Sequence, residues 1–156
     1  RVVPLPGGRG SAEQWVRENY HKQVMAYRRE ANHQQIVLIV GTDADTMTVD
    51  QRRQTLEMRL NQSSTARGDA ERIVLWIPKR NIETWLVFFS GEPVTEDANY
   101  QSRWEAKRKA KDTEIGTVAD NFVERFRRWT RGDTMPDLLP SLKTTFQEIQ
   151  DRFPLA

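Results

Sequence analysis

Cysteine is absent from this sequence of 156 residues, histidine occurs only twice, and no long hydrophobic run is present. The absence of cysteine excludes disulfide bonds and thiolate metal sites, and it is typical of proteins of the reducing cytosol. His21 and His33 have no partners at metal-ligand spacing. No apolar run approaches the roughly 18 residues that span a bilayer, and no signal-peptide pattern is found. The sequence therefore predicts a cytoplasmic protein with no membrane association.

The residues that are present predict one globular domain with a basic region near its end. Hydrophobic residues make up 37% of the chain, and five Trp with six Phe argue against disorder. Residues 101–132 hold nine Lys or Arg against five Asp or Glu, whereas the whole chain has a net charge of only +2. This basic excess favours nucleic acid as a partner, and a solvated helix surface is the alternative. The candidate nucleic-acid contacts are Lys107, Arg108, Lys109, Lys111, Arg127 and Arg128.

Three apolar segments predict the strands of a parallel sheet. Residues 36–40 (IVLIV) and 72–77 (RIVLWI) are apolar on both faces, as in central strands with helices on each side. Residues 1–5 (RVVPL) predict a shorter strand. The resulting β-α-β-α-β-α order predicts an α/β fold with a parallel sheet and flanking helices, of the Rossmann-like kind. We assign it to a core of residues 1–91, on which a helical extension, residues 92–156, is expected to pack.

Capping residues mark the expected helix starts. Ser11 with Gln14 and Thr48 with Gln51 have capping-box spacing, and Asn81 can cap a third helix. Apolar residues at helical spacing then predict that these helices end near residues 30, 60 and 89. Three further helices are predicted over 99–111, 113–131 and 137–153.

Asp43 and Asp45 directly follow the strand at 36–40. Ligands of open parallel sheets bind beyond the carboxyl ends of the strands, which is where both side chains are expected. Two carboxylates this close repel each other, so one pKa should rise unless a cation balances them. Oxygen ligands of this kind suit Mg²⁺ or Mn²⁺. The alternative is an Asx-type turn whose charge favours the next helix start.

The segment PKRNIETW at 78–85 follows the neighbouring strand and should open onto the same edge of the sheet. Glu83 lies off the centre of the apolar helix face, with Lys79 and Arg80 one turn before it. Acids that hold cations and bases that neutralise phosphate are what metal-assisted phosphoryl chemistry requires. We therefore predict Glu83, Lys79 and Arg80 as catalytic residues. The alternative is a helix-start acid that pairs with local bases.

Arg9 lies in PGGRGS at 6–11, where glycines precede a predicted helix start. Free N–H groups at such a start can bind a phosphate, and a plain tight turn is the alternative. The segment matches neither the P-loop nor the dinucleotide-binding fingerprint. No serine lies in a nucleophile-elbow pattern.

The strand with its D-x-D and the later N-I-E-T-W helix start resemble Toprim-like proteins, in particular small bacterial members of unknown role that are related to the Toprim parts of defence nucleases. The resemblance covers residues 1–91. In Toprim domains an acidic residue on an early strand joins the D-x-D to bind Mg²⁺, and the chemistry is nicking, rejoining, synthesis or cleavage of nucleic acid. The resemblance implies that Asp43 and Asp45 are metal ligands, that Glu83 is an additional acid near the metal, and that GGRGS matches the glycine-bearing turn before the preceding helix.

One feature of Toprim domains is not found in this sequence. Their first strand carries a Glu that is usually followed by Gly, and no such element precedes Ser11. The resemblance then makes RVVPL the second strand and places the first upstream of Arg1, with the missing acid on it.

The resemblance implies a Mg²⁺- or Mn²⁺-dependent nuclease that acts on DNA or RNA, in phage defence, with a partner protein such as an ATPase. The alternative is a non-catalytic nucleic-acid-binding or assembly subunit of a larger complex. A phosphatase of the haloacid dehalogenase type fits less well, because Met47 stands where that motif has Thr or Val.

Overall fold

The computed structural model describes residues 12–111 and 114–153. The predicted strand at 1–5, the turn at 6–11 and the cap residue Ser11 lie outside these residues. The elements, in chain order, are α1 (Ala12–Ala31), β1 (Leu38–Gly41), α2 (Val49–Gln62), β2 (Ile73–Trp76), α3 (Ile82–Phe89), α4 (Gln101–Ala110), α5 (Ile115–Thr130) and α6 (Pro140–Arg152). The α/β class is thus confirmed, although helices dominate the described part of the chain. None of its helices is long and apolar enough to cross a membrane.

The two strands form a parallel pair, as predicted. Leu38 lies opposite Ile73 and Gly41 lies opposite Trp76, with α2 as the connection between the strands. Parallel strands need a crossover of this kind because the chain has to return to the end of the sheet at which the first strand begins.

Two of the three predicted helix caps, those at Thr48 and Asn81, are confirmed. The Thr48 hydroxyl accepts the Gln51 N–H at 3.1 Å, and the Gln51 side chain accepts the Thr48 N–H at 2.9 Å, which completes a capping box at the start of α2. The Asn81 side chain accepts the Thr84 N–H at 3.2 Å and starts α3. These caps satisfy N–H groups that have no partner within the helix, and they fix where the helices begin after each strand.

One core lies between the sheet and the helices α1 and α2, which pack against each other. Tyr20 and Val24, in the middle of α1, are fully buried. They pack with residues from α2 and with the inward side chains of the strands. The buried members of this core also include Tyr27, Val40, Ala44, Leu56, Leu60, Ile73, Leu75 and Ile77.

A second core joins the helices α3, α4, α5 and α6 and contains most of the aromatic residues. Trp85 is fully buried, and its indole N–H donates to the Ser141 hydroxyl at 2.9 Å. The Phe146 ring in α6 makes edge contacts with the rings of Phe122 and Phe126 at 5.3 and 5.2 Å between centroids. α6 also packs on β2. The C-terminal helices therefore pack on the α/β part, whereas the domain boundary at residue 91 stays a prediction.

The prediction that β1 has helices on each side is wrong for the described part of the chain. Ile39 is 59% exposed and Val37 is 41% exposed, while Val40 on the other face is buried. α1 covers only the face that carries Val40. The apolar run at 36–40 therefore identified a strand correctly but did not show whether both of its faces are covered.

Candidate active site at the carboxyl edge of the sheet

The loops that follow β1 and β2 are held side by side by backbone hydrogen bonds. The Thr42 N–H donates to the Trp76 carbonyl at 3.1 Å, and the Ala44 N–H donates to the Pro78 carbonyl at 2.8 Å. These bonds continue the parallel pairing beyond the strands. The D-x-D loop is consequently fixed beside the start of α3, as predicted from the order of the elements.

Asp43 is the half-buried member of the D-x-D. Its carboxylate accepts a hydrogen bond from the backbone N–H of Ile82, the first residue of α3. Burial, which is the largest cause, and the negative charges of Glu83 and Asp45 together raise the pKa of Asp43 to about 6, although the Ile82 hydrogen bond and the Arg52 charge act in the opposite direction. The like-charge repulsion expected from the sequence is therefore present at this edge.

Asp45 differs from Asp43 in both exposure and partner. Its backbone has a positive φ of 57°, a left-handed conformation that Asp tolerates better than most residues. Its side chain is 61% exposed and lies 2.5 Å from the Arg80 guanidinium. Lys79 is held more loosely, at 3.7 Å from the exposed carboxylate of Asp97. Both predicted phosphate-facing bases therefore have carboxylate partners in this structure.

Glu83 lies on the first turn of α3 and is half-buried. It is close enough to Asp43 for its charge to raise that pKa. It forms no hydrogen bond or ion pair with another residue of 12–111 or 114–153. The alternative in which Glu83 pairs with Lys79 or Arg80 is not the arrangement found.

The acids of this edge are candidate metal ligands. In the described part of the chain, no group of three His, Asp or Glu side chains lies close enough to surround a metal ion. Mg²⁺ commonly uses one or two carboxylates, with waters and substrate phosphates completing its coordination. Asp43 and Glu83 are two oxygen donors of this kind, and each lacks an ion-pair partner among the described residues. Asp45 pairs with Arg80 instead.

Arg52 contacts the backbone of the D-x-D loop, a role that we did not predict from the sequence. Its side chain is 9% exposed; it donates to the Glu13 carboxylate at 2.5 Å and to the Ala44 carbonyl at 3.5 Å. This contact places the start of α1 at the carboxyl edge of the sheet. Glu13 is 39 positions from Arg52 in the chain, so no local pattern could have indicated the pair.

The residues predicted to bind nucleic acid fall into two groups in the structure. Lys107 pairs with Glu92 at 2.5 Å and Arg128 pairs with Asp133 at 3.1 Å, so part of the charge on each is offset locally. Four others are exposed, namely Arg108, Lys109, Lys111 and Arg127. Arg9 lies outside the described residues. The four exposed bases lie on α4, directly after it and on α5, and the same helices also carry the exposed acids Glu105, Asp120 and Glu124.

A second buried carboxylate, Glu148 in α6, is fully paired. It binds the Arg67 guanidinium at 2.6 Å, pairs with Arg53, and accepts the Leu75 N–H at 3.0 Å. Burial alone would raise the pKa of Glu148, but hydrogen bonds from Arg67, Arg53 and the Leu75 N–H hold it below its usual range. Sequence reasoning missed this cluster, which ties α6 to α2 and β2.

Comparison of the chain with protein family models, with curated proteins and with solved structures gave no match. The Toprim-like resemblance therefore stays a prediction that rests on the residues of the chain itself.

Proposed function

We propose that the chain is a Mg²⁺- or Mn²⁺-dependent nuclease of the Toprim-like kind, with its active site at the carboxyl edge of the sheet. One observation carries the proposal. The half-buried carboxylates of Asp43 and Glu83 are close enough to repel each other, and neither forms an ion pair with a described residue. A protein gains no stability from such a pair, and perturbed acids in this position are typical of functional sites.

In this proposal Asp43 and Glu83 hold the metal ion, which when bound supplies charge stabilisation and an activated water. Arg80 changes partner from Asp45 to a phosphate oxygen, since the exposed ion pair costs little to open. Asp45 is then free to turn toward the metal. Lys79 is available to the same phosphate, because its 3.7 Å contact with the exposed Asp97 is weak. Exposed bases on α4 and α5 hold the flanking nucleic acid.

The proposal is tested by cleavage of plasmid and single-stranded DNA or RNA in Mg²⁺ or Mn²⁺. We expect Asp43→Asn and Glu83→Gln to lower the rate by about 100-fold or more, which is the scale of losing an electrostatic group in a reaction centre. Asp120→Asn is the matched control, because Asp120 is an exposed acid of α5. Equal rates in the wild type, the control and Asp43→Asn would exclude catalysis at this edge.

A second candidate is a nucleic-acid-binding or assembly subunit that leaves the chemistry to a partner. One observation favours it: the Asp45 carboxylate is paired with Arg80 in this structure. Binding titrations over a salt series separate the two functions, since phosphate binding without turnover gives a steep salt dependence and no product. An ATPase partner and a role in phage defence stay predictions from the resemblance.

A further inference from the structure

The connecting segment, residues 90–100, leads from α3 to α4 and returns to the carboxyl edge of the sheet. The Asp97 carboxylate lies 3.7 Å from the Lys79 ammonium. The Asn99 side-chain oxygen accepts a hydrogen bond from the Asn81 carboxamide at 2.9 Å. Lys79 and Asn81 both lie just before α3. The connecting segment therefore lies against the start of α3.

The connecting segment is itself held in place by a bond to the start of α6. The Glu96 carboxylate accepts the Ser141 N–H at 2.9 Å and also pairs with the Ser141 hydroxyl. Ser141 is fully buried, and its hydroxyl accepts the Trp85 indole N–H. Because Asn99 lies on a segment that is already ordered, its bond to Asn81 costs little further conformational entropy.

Backbone donors fix the orientation of both carboxamides in this bond. The Asn81 oxygen accepts the Thr84 N–H at 3.2 Å and the Thr84 hydroxyl at 2.9 Å, so its NH₂ group faces Asn99. The Asn99 oxygen also accepts the Gln101 N–H at 2.9 Å. A backbone N–H can only donate, so turning over either carboxamide would break these bonds. The bond between the two asparagines therefore joins the start of α3 to the start of α4.

The start of α3 carries groups of the candidate active site. The Ile82 N–H donates to the Asp43 carboxylate, and Glu83 lies on the same helical turn. The capping residue fixes the conformation of this turn, because it binds an N–H group that has no partner within the helix. A side chain that holds Asn81 therefore also determines where the Ile82 N–H and Glu83 lie relative to Asp43.

We propose that Asn99 is a positioning residue of the candidate active site, which acts by holding the Asn81 cap and with it the start of α3. Its side chain is not expected to touch the metal or the substrate. This role rests on the proposed function, because the site that Asn99 positions is the Asp43 edge. The order of the start of α3 can nevertheless be measured without metal or cleavage.

Amide hydrogen exchange and Mn²⁺ affinity of the full-length protein test this role. Asn99→Ala is expected to speed the exchange of the Ile82 amide by about threefold or more, the scale of one hydrogen bond, and to weaken Mn²⁺ binding by a similar factor. Asn99→Asp keeps the acceptor oxygen and should retain the wild-type exchange rate. Ser102→Ala is the matched control, since Ser102 is an exposed residue of the first turn of α4.

A variant at the other end of the bond shows whether Asn99 acts through Asn81. Asn81→Ser keeps a capping oxygen for the Thr84 N–H, but its side chain is too short to reach Asn99. If Asn99 acts through Asn81, then Asn81→Ser and the double variant should each speed Ile82 exchange as much as Asn99→Ala does. Additive effects in the double variant would overturn the proposal.

Two other results would also overturn it. Wild-type exchange of the Ile82 amide in Asn99→Ala would show that the start of α3 does not depend on this bond. Faster exchange confined to the Trp104 amide, which donates to the Tyr100 carbonyl at 2.8 Å, would show that Asn99 only caps α4. If the Ile82 amide responds as expected but the wild type binds no Mn²⁺, the proposed function fails while Asn99 still positions α3.

Discussion

Asp43 and Glu148 are both acids withdrawn from solvent, and their surroundings are opposite. Glu148 is held by two arginines and a backbone N–H, and its pKa is lowered. Asp43 has one backbone donor, faces the charge of Glu83, and has a pKa raised to about 6. The first environment favours the charged carboxylate and the second opposes it. Burial alone therefore does not reveal the role of an acid. The role is revealed by whether positive charges and hydrogen-bond donors surround the carboxylate.

This contrast assigns different roles to the carboxyl edge of the sheet, where Asp43 lies, and to the side of β2, where Glu148 lies. The Glu148 cluster joins α6 to α2 and β2, so its charge contributes to folding. The Asp43 edge carries a charge that costs folding free energy unless a ligand compensates it. Such a cost is expected where a protein keeps residues for binding or catalysis rather than for stability.

The largest expected effect on stability comes from removing the charge of Glu148, which the two arginines compensate. Glu148→Gln should lower the free energy of unfolding at pH 7 by about 3–5 kcal/mol, because it removes the buried charge that faces Arg67 and leaves Arg67 only the more exposed carboxylate of Glu57. The lowered pKa means that this contribution is present above pH 4.5 and is lost as pH falls further. Urea denaturation measures the change. Asp151→Asn, an exposed acid of the same helix, is the control, and equal losses in the two variants would contradict the assignment.

Removing the charge of Asp43 should change the free energy of unfolding in the opposite direction. Asp43→Asn is expected to raise the free energy of unfolding at pH 8 without divalent metal by about 1–3 kcal/mol, because it removes the unfavourable charge. The Asn side chain keeps an acceptor for the Ile82 N–H. The folded-state pKa lies above the unfolded one, so the wild type loses stability as pH rises from 3.8 to about 6. The two proteins should therefore be equally stable at pH 3.5. A destabilised Asp43→Asn at pH 8 would show that the charge is compensated.

The smallest effect is expected at the exposed pair. Asp45→Asn and Arg80→Gln should each change stability by less than about 1 kcal/mol, because the Asp45 side chain is 61% exposed. A double-mutant cycle in chemical denaturation measures the coupling between them. Coupling above about 2 kcal/mol would show that Arg80 is fixed in place and is not free to meet a phosphate.

The sequence predicted those parts of the fold and site that depend on residues close together in the chain. The hydroxyl of Thr48 and the amide of Asn81 cap the helices that follow them, and the apolar run at 36–40 overlaps the strand Leu38–Gly41. The meeting of Asp43 and Glu83 at one edge also followed from the order of the elements.

What the sequence could not indicate depended on distant partners or on backbone conformation. Glu148 meets Arg53 and Arg67 across 95 and 81 positions. Whether helices cover Ile39 depends on where α6 and α5 pack, which periodicity does not encode. Asp45 has a left-handed backbone and pairs with Arg80, so the two acids of the D-x-D have different surroundings.

The central claim is that the uncompensated carboxylates at the Asp43 edge bind a divalent cation. The most direct measurement is the free energy of unfolding of the wild type and of Asp43→Asn, each with EDTA and with saturating Mg²⁺ or Mn²⁺. The account predicts that metal at about 100 times its dissociation constant stabilises the wild type by about 2.7 kcal/mol and leaves Asp43→Asn unchanged. Equal stabilisation of the two proteins, or none in the wild type, would contradict it.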